Sequence, residues 1–375
     1  MKLICVLTTR HNCDDNRIYH KEVKTLADAG YSVLYIAPNN TDKGYQNVTY
    51  ESIPLVPRKK LKPVFKHVYE LITKKYKVES VHFHDPEILP FACKIKRRTK
   101  IKVIYDVHED YKSEMLIKLY LSKIEKKLFY TVVSHYQKKA DKKFDAIVNA
   151  DNFVAEEFHN KNKIILFNYP DVSNLPETYV KDIRERNDFD IIFPGTINPF
   201  IFKMMMDMTR ICREKGHPIR CCIITEYRYK KDQDDNLAYM ESSGVNKDDV
   251  TLLPRIPTKE VPLYLNRTKL GVAPLPDNPK FRKNIATKMF EYMYYYLPVL
   301  TSDLPPAKQY LDVTNSGYLI KYDDAEAYAD KIIYLLNNPD VANEMGKTGH
   351  DKVASSWNWS TEKEKLIELY KTLLG

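Results

Sequence analysis

The chain alternates short apolar runs with longer segments in which apolar residues recur every three or four positions. Short runs bounded by polar turns are typical of buried strands, and the longer periodic segments are typical of amphipathic helices. The first series gives a strand at residues 3–8, a loop rich in Asp and Asn, a helix that ends at Gly30, and a strand at residues 31–37. This order predicts a right-handed βαβ unit.

The same alternation continues along the chain in two series. The pattern predicts further strands at residues 81–83, 101–105, 146–148 and 164–167, and then at residues 189–193, 220–225, 250–253, 270–273, 299–300 and 318–320. Strands that alternate with helices predict parallel, doubly wound sheets that bind ligands beyond the carboxyl ends of the strands. The polar residues 169–186 predict a linker. We therefore predict an α/β protein with two Rossmann-like domains, at residues 1–175 and 176–359, that face a central cleft.

Composition agrees with two folded domains. The chain has 375 residues, of which 43% are hydrophobic. No apolar run approaches the ~20 residues of a membrane span, and the first predicted strand already begins at residue 3, so we expect no signal peptide. The six cysteines show no C-x-x-C spacing, which indicates reduced thiols rather than disulfides or structural zinc. We expect a cytoplasmic protein.

The net charge of +9 lies entirely in the first half of the chain. Residues 1–180 carry 31 Lys and Arg against 22 Asp and Glu, and the remainder carries 28 of each. Such a basic half can meet nucleic acid, an anionic membrane or an acidic substrate, or it can simply be a soluble surface. The predicted helix at residues 116–140 is apolar on one side and basic on the other. It can lie along a membrane interface, or pack on the sheet with its lysines in water.

The stretch at residues 282–303 combines a helix with a following strand. Asn284 and Thr287 are residue types that cap helix starts. Lys288 and Glu291 are three residues apart and therefore share one face near the helix N-terminus. A helix N-terminus with a lysine suits a phosphate, and a carboxylate one turn on can accept two hydroxyl hydrogen bonds, so the pair fits a nucleotide ribose and its phosphates. The alternative is an incidental ion pair.

Histidine–acid pairs end two predicted strands of the first domain. His84 precedes Asp85, and His108 precedes Glu109, each pair at the carboxyl end of a parallel strand. A histidine there can titrate near neutrality or donate to a developing negative charge, although a single loop histidine can also be structural.

Two motifs of the second domain leave alternatives open. Gly195 and Thr196 end its first predicted strand, where a glycine lets the backbone approach a diphosphate or simply forms a turn. Asp232 and Asp234 form a D-x-D sequence, which we interpret as part of a surface loop without a metal ion, because oxygen-rich sites need more convergent carboxylates.

The segment TKMFEYM followed by LPVLTSD resembles the donor-site segment of GT-B glycosyltransferases, in particular the large family 4 group. That group typically shows P-x-K-x-x-E-Y-M-A-x-G-x-P-V-I. The resemblance implies that Glu291 binds the ribose of a nucleotide sugar and that Lys288 binds its diphosphate. Two departures concern the sugar: Lys283 stands where the family has the first glutamate of a pair, and Tyr-Tyr-Tyr-Leu-Pro replaces a loop with glycine.

Two more segments of the second domain resemble this family. Residues 250–265 are similar to V-x-x-L-G-x-V-P-x-x-E-V-x-x-Y-L, which implies that the backbone around Arg255 and Ile256 contacts the nucleobase. After the first strand the family often has Gly-Arg and a later Lys, and this chain has Thr196 and Ile201 in those places. We expect the nearby cations Arg282 or Lys283 to replace them.

The first domain resembles the same family in three places. A D-x-R-I signature implies that Arg17 lies on the acceptor side, and the H-x-H-D segment implies the same for His84 and Asp85. The D-x-H-E segment implies that His108 lies near the reacting sugar and the acceptor. We therefore predict catalytic roles for three residues, which are His108, Glu109 and Lys288. We predict donor contacts from nine, which are Gly195, Thr196, Arg255, Ile256, Arg282, Lys283, Thr287, Lys288 and Glu291.

The resemblance covers nearly the whole chain and implies transfer of a sugar from a nucleotide-diphosphate sugar to an acceptor hydroxyl. It implies a glycan or lipid-linked acceptor in cell-surface polysaccharide or glycolipid synthesis, retention as the default outcome, and no metal or cofactor. In this family the C-terminal helix, here residues 360–375, packs back on the first domain. The alternatives are a nucleotide-sugar epimerase of the same fold and a non-catalytic basic binding protein. No nucleic-acid motif accompanies the charge, so we expect no nucleic acid partner but allow contact with an anionic membrane.

Overall fold

The computed structural model describes residues 2–111, 113, 122–227 and 229–375. The chain folds into two compact units. One consists of Met1–Asn168 together with Trp359–Gly375, and the other consists of Tyr169–Asn358.

The first unit is built on a seven-stranded parallel sheet. Its strands are β1 (Leu3–Leu7), β2 (Ser32–Pro38), β3 (Val48–Ile53), β4 (Ser80–Phe83), β5 (Lys102–Val107), β6 (Ala146–Asn149) and β7 (Lys163–Ile165). They lie in the order β3-β2-β1-β4-β5-β6-β7. This is a doubly wound arrangement whose direction reverses between β1 and β4.

Helices connect these strands. A wide helical turn at Asn16–Val23 leads into α1 (Lys24–Asp28), followed by α2 (Leu61–Glu70), α3 (Leu89–Arg98), α4 (Lys123–Lys143) and α5 (Asn152–Ala155). Shorter helical turns lie at Arg58–Lys60, Leu71–Lys75 and Pro86–Ile88.

The second unit repeats this architecture with six parallel strands. They are β8 (Phe189–Pro194), β9 (Cys221–Thr225), β10 (Val250–Pro254), β11 (Thr268–Ala273), β12 (Val299–Ser302) and β13 (Gly317–Ile320). Their order is β10-β9-β8-β11-β12-β13, with the reversal between β8 and β11. The helices are α6 (Pro199–Glu214), α7 (Lys230–Ser242), α8 (Val261–Leu265), α9 (Lys288–Tyr294), α10 (Pro305–Thr314), α11 (Ala325–Asn337) and α12 (Pro339–Ser355). Shorter turns lie at Val172–Asn174, Ile183–Glu185, Lys247–Asp249 and Thr258–Glu260.

The strands are almost wholly apolar because both faces of each sheet are covered. In β1, Cys5 and Leu7 belong to the core on one face, whereas Ile4 and Val6 belong to the core on the other. All four residues are fully buried. Side chains alternate along a strand, so one short apolar run supplies both cores.

The last helix, α13 (Trp359–Leu374), packs on the first unit. The indole nitrogen of Trp359 donates to the Thr25 hydroxyl at 2.9 Å, and Leu366 and Tyr370 join the core that contains Ile4. The helix begins at Trp359, one residue ahead of the predicted residue 360.

The predicted strands are all present, and the sequence pattern missed β3. Residues of this edge strand are mostly half-exposed, so its sequence looks like a polar loop. The predicted linker at residues 169–186 packs on the second unit, where the buried guanidinium of Arg186 donates to the backbone oxygens of Thr268 and Tyr295 at 2.6 Å.

The surface loop predicted around Asp232 is wrong, because these residues begin α7. Lys230 pairs with Asp234 at 2.9 Å and Lys231 with Asp235 at 2.6 Å, and such i,i+4 pairs favour a helix. Across the described residues, no helix has both the length and the apolar character needed to cross a membrane.

Candidate functional site

In each sheet most of the predicted site residues follow strands at or next to the point where the strand order reverses, whereas Arg255 and Ile256 follow the edge strand β10, two strands from that point. Parallel doubly wound sheets bind ligands beyond the carboxyl ends of their strands at this point. In the first unit the residues follow β1, β4 and β5, and in the second unit they follow β8, β10 and β11.

Lys288 opens α9 and lies against the end of β8. Its Nζ atom lies 3.4 Å from the ring centroid of Phe193, the residue that precedes Pro194 at the strand end. Gly195 follows with a φ of 126°, and a Cβ atom at this position would stand 3.2 Å from Nζ of Lys288. A side chain at Gly195 would therefore crowd the ammonium group. The structure brings these two predicted residues together.

The charge of Lys288 is poorly compensated. Within the described part of the chain, its ammonium group stacks on Phe193 and donates no hydrogen bond. Burial lowers the pKa of Lys288 to about 7, and the carboxylate of Glu291 one turn further on opposes this shift only partly. A cation held without a hydrogen-bonded anion suits an oxyanion such as a phosphate.

The start of α9 differs from the prediction. Thr287 already has helical backbone angles, with a φ of −58° and a ψ of −26°, and its side chain makes no capping hydrogen bond. Capping residues usually have extended backbone angles, which is why Thr287 cannot aim its hydroxyl at the helix start. The candidate anion-binding group of this segment is therefore Lys288 rather than a side-chain cap at Thr287.

The other predicted cations lie on the loop between β11 and α9. Arg282 is exposed and forms a two-point ion pair with Asp277, in which Nη2 lies 2.6 Å from Oδ2. A phosphate must compete with this carboxylate for Arg282. Lys283 is half-buried on the same loop.

The residues predicted to contact the base follow β10. Arg255 is exposed and pairs at 2.7 Å with Glu226, which follows the neighbouring strand β9, and Ile256 is half-buried. Thr196 is exposed next to Gly195 at the end of β8. Because β9 separates β8 from β10, these strand ends lie roughly 10 Å apart.

In the first unit, Asp106 of β5 binds Arg17 through both carboxylate oxygens. The contacts are 2.9 Å from Nε and 3.0 Å from Nη2, and the third nitrogen, Nη1, donates to the backbone oxygen of Leu166 at 2.8 Å. Arg17 is 3% exposed. All three nitrogens of its guanidinium group therefore contact groups within the first unit.

Two predicted histidines meet at Asp106. Nδ1 of His84 lies 2.9 Å from Nε2 of His108, and Nε2 of His108 lies 3.1 Å from Oδ2 of Asp106. His84 is fully buried, whereas the side chain of His108 is 10% exposed. Burial lowers the pKa of His84 to about 4 and also lowers the pKa of His108, so both rings are neutral at pH 7.

Asp85, which follows β4, forms hydrogen bonds with the two residues that follow β1. Its carboxylate accepts hydrogen bonds from the Thr8 hydroxyl at 2.9 Å and from the Thr9 backbone nitrogen at 2.5 Å, and it is 2% exposed. It therefore shapes the loop after β1. Glu109 follows His108 and is half-buried.

The sequence interpretation missed His11 on that loop. The ring centroids of His11 and His108 are 5.0 Å apart, and Nδ1 of His11 lies 3.3 Å from the Asp15 carboxylate. Burial alone would lower the pKa of His11, but the hydrogen bond to Asp15 and the charge of Asp85 raise it to about 9. A cationic histidine therefore lies beside the neutral His108 at pH 7.

Three buried residues beneath these histidines were also missed. Asp106 and His82 stand inside the two histidine motifs, but Glu22 gives no signal beyond its place in a helical pattern. Glu22 is fully buried, and its Oε2 atom lies 3.8 Å from Nε2 of His84 and 3.9 Å from Nε2 of His82. Nδ1 of His82 contacts the hydroxyl of Tyr370 at 3.1 Å.

This cluster is the one group among the described residues with metal-like spacing. The potential ligand atoms of Glu22, His82, His84 and Asp106 lie within 4.8 Å of one another. However, Nε of Arg17 already lies 3.0 Å from Glu22 and 2.9 Å from Asp106. Burial and the charge of Asp106 raise the pKa of Glu22 well above its ordinary value, so a proton and a guanidinium group balance the cluster better than a divalent cation.

Two family models match the chain, one on each unit. The model described as Glycosyltransferase Family 4 matches residues 16–165, and the model described as Glycosyl transferases group 1 matches residues 184–352. A curated relative, spore coat protein SA of Bacillus subtilis strain 168, is 23% identical over 129 residues, or 34% of this chain. That match spans 33% of the length of the relative.

Solved structures show the same fold over nearly the whole chain. Sucrose-phosphate synthase from Thermosynechococcus elongatus superimposes with a TM-score of 0.79 at 15% identity, covering 100% of this chain and 99% of that one. HepE of Anabaena in complex with UDP-glucose superimposes with a TM-score of 0.74 at 11% identity. This match covers 99% of this chain and 100% of that one. TarM of S. aureus, solved with fondaparinux, α-GlcNAc-glycerol and UDP, superimposes with a TM-score of 0.58 at 17% identity. This match covers 81% of this chain and 58% of that one. These likenesses confirm the fold that the sequence resemblance implied.

Proposed function

Because this chain belongs to the GT-B glycosyltransferases of the family 4 type, we propose that it transfers a sugar from a nucleotide-diphosphate sugar to an acceptor hydroxyl. The observation that carries the proposal is the ammonium group of Lys288, which lies on the Phe193 ring beside Gly195 with no hydrogen-bonded anion among the described residues. A diphosphate supplies the missing negative charge.

The proposed chemistry assigns each group a simple task. The acceptor oxygen forms a bond to the anomeric carbon, the bond from that carbon to the diphosphate breaks, and the diphosphate leaves with the electron pair. Lys288 stabilises the charge that develops on the diphosphate, and Glu291 accepts hydrogen bonds from the ribose hydroxyls. We take retention from the default of the family, and we propose no metal or cofactor because Lys288 supplies the compensating charge.

A thermal-shift panel tests the donor site. The panel contains UDP, GDP, ADP, CMP and their common sugars, with UDP first because HepE and TarM were solved with it. A nucleotide at a hundredfold its dissociation constant stabilises a protein by roughly 2.7 kcal/mol. We expect one nucleotide to stabilise the wild type and Lys288→Met to lose that effect.

A matched lysine provides the control. Lys331 also lies over an aromatic ring in the second unit, with Nζ 4.5 Å from the centroid of Tyr318. Lys331→Met should therefore keep the full nucleotide shift. No shift with any nucleotide, or equal losses in the two variants, would contradict the proposed donor site.

Product analysis separates transfer from the rival activities. An epimerase of this fold forms free sugar or an epimer from the donor alone, whereas a transferase needs an added acceptor to form a glycoside. Chromatography of the nucleotide sugar, incubated with and without glycan acceptors, distinguishes these outcomes. A binding protein releases no nucleoside diphosphate in either incubation.

We also propose that the first unit contacts an anionic membrane where a lipid-linked acceptor resides. Along α4, Ile124, Leu128 and Val132 are spaced four residues apart and are 80%, 64% and 43% exposed. Three lysines lie among them at Lys123, Lys126 and Lys127. An exposed apolar stripe flanked by lysines suits the surface of a membrane with negative headgroups. The remainder of the predicted helix at residues 116–140 lies partly outside the described residues.

Sedimentation with vesicles tests this contact. We expect binding to vesicles with phosphatidylserine that weakens with salt, and loss of binding in Ile124→Ser with Leu128→Ser. Val313→Ser, which alters a 68% exposed apolar residue of the second unit, is the control. Equal binding to neutral and anionic vesicles would contradict the electrostatic part of the proposal.

A further inference from the structure

The side chain of Tyr179, in the polar segment 169–186, contacts four aromatic rings. Three belong to the tyrosines at the end of α9 and one to α12, with centroid distances of 5.4 Å to Tyr294, 6.0 Å to Tyr295, 5.7 Å to Tyr296 and 5.0 Å to His350. The Tyr179 hydroxyl donates to the Tyr294 hydroxyl at 2.6 Å. Aromatic pairs at such distances stabilise each other beyond the area that they bury. The three tyrosines that replace the glycine loop of the family pattern thus hold a side chain from segment 169–186.

Arg186 provides a second contact between segment 169–186 and the end of α9. Its guanidinium group is buried and donates to the backbone oxygen of Tyr295 at 2.6 Å. The same group donates to the backbone oxygens of Leu265 at 3.1 Å and Thr268 at 2.6 Å, where α8 ends and β11 begins. A buried charged donor that lost these acceptors would be costly, so segment 169–186 is held firmly at this point.

The helix α9 needs such contacts because it is short. It has seven residues, and no side chain caps its start. Isolated helices shorter than ~12 residues are marginal in water, so the position of α9 depends on tertiary contacts. The Tyr292 hydroxyl contacts the backbone oxygens of Ile192 at 3.3 Å and Val272 at 3.2 Å, which places α9 on the sheet. Segment 169–186 adds a further contact, since the Tyr169 ring lies edge-on to Phe290 with centroids 4.8 Å apart.

The contacts at the end of α9 connect directly to the predicted nucleotide residues. The backbone nitrogen of Tyr295 donates to the backbone oxygen of Glu291 at 3.1 Å, and the backbone oxygen of Tyr295 accepts from Arg186. Lys288 lies one turn before Glu291 on the same helix. A shift of segment 169–186 at Tyr295 would therefore displace the helical turn that carries Glu291. Substrate contacts are sensitive to displacements of about 1 Å.

We propose that Tyr179 is a positioning residue that, by packing against residues 294–296, holds segment 169–186 on α9 and so places Lys288 and Glu291 for the nucleotide. The inference rests on the proposed function for the identity of the ligand. Coupling between two binding events is reciprocal, so nucleotide binding in turn tightens segment 169–186 on α9. The tyrosines at residues 294–296 thereby gain a role that the glycine of the family pattern cannot perform.

Calorimetric titration with UDP, or with whichever nucleotide of the thermal-shift panel stabilises the wild type, tests the positioning role. We expect the affinity to fall by about fivefold or more in Tyr179→Ala, and to stay within about twofold of the wild type in Tyr179→Phe, which keeps the ring. Tyr239→Ala is the matched control, because Tyr239 is a half-buried tyrosine of α7 whose hydroxyl donates to Asp207 at 2.6 Å. An unchanged affinity in folded Tyr179→Ala, or an equal loss in Tyr239→Ala, would overturn the proposal.

Limited proteolysis with trypsin tests the reciprocal effect. Lys181 and Arg184 are exposed in segment 169–186. We expect nucleotide, at a concentration that saturates each protein, to slow cleavage after these residues by about fivefold in the wild type but not in Tyr179→Ala. Equal slowing in the two proteins would overturn the coupling.

The free proteins separate this inference from the proposed function. Without nucleotide, Tyr179→Ala should be cleaved faster than the wild type in segment 169–186, whereas Tyr239→Ala should not. Equal cleavage of the wild type and Tyr179→Ala would show that Tyr179 does not anchor the segment. A wild type that binds no nucleotide would instead overturn the proposed function and the coupling that rests on it, while the cleavage rates still report the anchoring.

Discussion

At the scale of single residues, the second unit depends on one ammonium group and one missing side chain. The ammonium group of Lys288 lies over the Phe193 ring, and a side chain at Gly195 would crowd it. The arrangement keeps a positive charge close to the end of β8 without pairing it to a carboxylate at hydrogen-bond distance. Burial makes this charge costly in the free protein, and the diphosphate of the proposed donor would reduce that cost.

The pH dependence of nucleotide affinity should show this cost. The pKa of Lys288 is about 7 in the folded protein and 10.5 for an ordinary lysine. Between these values the unfolded chain binds more protons, so Lys288 makes the free energy of unfolding rise with pH. In the proposed site a nucleoside diphosphate binds only when Lys288 is protonated. The affinity of the protein for the nucleoside diphosphate should therefore fall by up to about tenfold per pH unit above 7.

Calorimetric titration at pH 6.5, 7.5 and 8.5 measures this slope. Lys288→Arg keeps its charge throughout this range and should flatten the slope. A wild-type affinity that does not change between these pH values would contradict the role of Lys288 as the cation for the diphosphate.

Gly195 should tolerate no side chain at the site. Gly195→Ala places a Cβ atom 3.2 Å from the present position of Nζ of Lys288, whereas Gly216→Ala has no atom within 4 Å. Both glycines have positive φ, so both variants strain the backbone by about 1 kcal/mol. We expect both to lose stability but only Gly195→Ala to lose nucleotide affinity, by roughly tenfold or more. Equal affinities in the two variants would show that Lys288 does not need this space.

The sequence pattern singles out the group around Lys288 more readily than the group around Asp106. Lys288 and Glu291 share one short helix and follow a recognisable motif. Asp106 and Arg17 are 89 positions apart and meet only because β1 and β5 lie in one sheet. His11 shows the same limit, since only the folded loop after β1 brings it to His108. The charged neighbours that set the pKa of these groups come from distant parts of the chain and cannot be inferred from spacing alone.

At the scale of elements, the loop after α9 shows how the chain replaces the glycine of the family pattern. Tyr296 has a φ of 60°, which is unfavourable for a side chain with a Cβ atom. Its ring stacks on His350 of α12 with centroids 4.0 Å apart. The contact offsets the backbone strain, and it requires α12 to approach the loop closely at Gly346.

Gly346→Ala should therefore destabilise the protein. A glycine inside a helix is normally about 1 kcal/mol less favourable than alanine, which would predict stabilisation. Here a Cβ atom would stand 2.3 Å from the backbone oxygen of Tyr296. We expect the free energy of unfolding in urea to fall by about 1–3 kcal/mol. Lys347→Ala, at the next and exposed position, should change it by less than about 0.5 kcal/mol, and a more stable Gly346→Ala would contradict the close approach.

Elements with strong periodicity were predicted correctly, and those governed by local contacts were not. Each apolar run became a strand, because both faces of the sheets are covered. The edge strand β3 was missed since its residues are half-exposed. The helix α7 was mistaken for a loop because its first turns are charged, whereas Tyr239 and Met240, which pack against the core of the second unit, come near its end.

At the scale of the whole molecule, the chain leaves the first unit and returns to it. The helix α13 contributes Leu366, Leu369 and Tyr370 to a core of the first unit and provides the hydroxyl that contacts His82. Residues 1–168 alone would expose that core and leave His82 without this partner. The sequence resemblance predicted the return of this helix, but not its contact with the buried histidines.

A fragment experiment tests this dependence. We expect residues 1–168 joined by a Gly/Ser linker to residues 359–375 to unfold cooperatively in circular dichroism, and residues 1–168 alone not to do so. The fusion with Leu366→Asp is the matched control, because it keeps the length but not the apolar face. Cooperative unfolding of residues 1–168 alone would show that α13 is dispensable for this unit.

The most direct test of the proposed donor site is a calorimetric comparison of nucleoside, nucleoside diphosphate and 2′,3′-dideoxynucleoside diphosphate, using the base found in the panel. We predict that Lys288→Met weakens the affinity for the nucleoside diphosphate by about 10- to 100-fold and leaves the affinity for the nucleoside unchanged. Glu291→Gln should abolish the preference for the ribose over the dideoxyribose. If both variants bind all three compounds as the wild type does, the second unit does not hold a nucleotide through Lys288 and Glu291, and the proposed donor site is wrong.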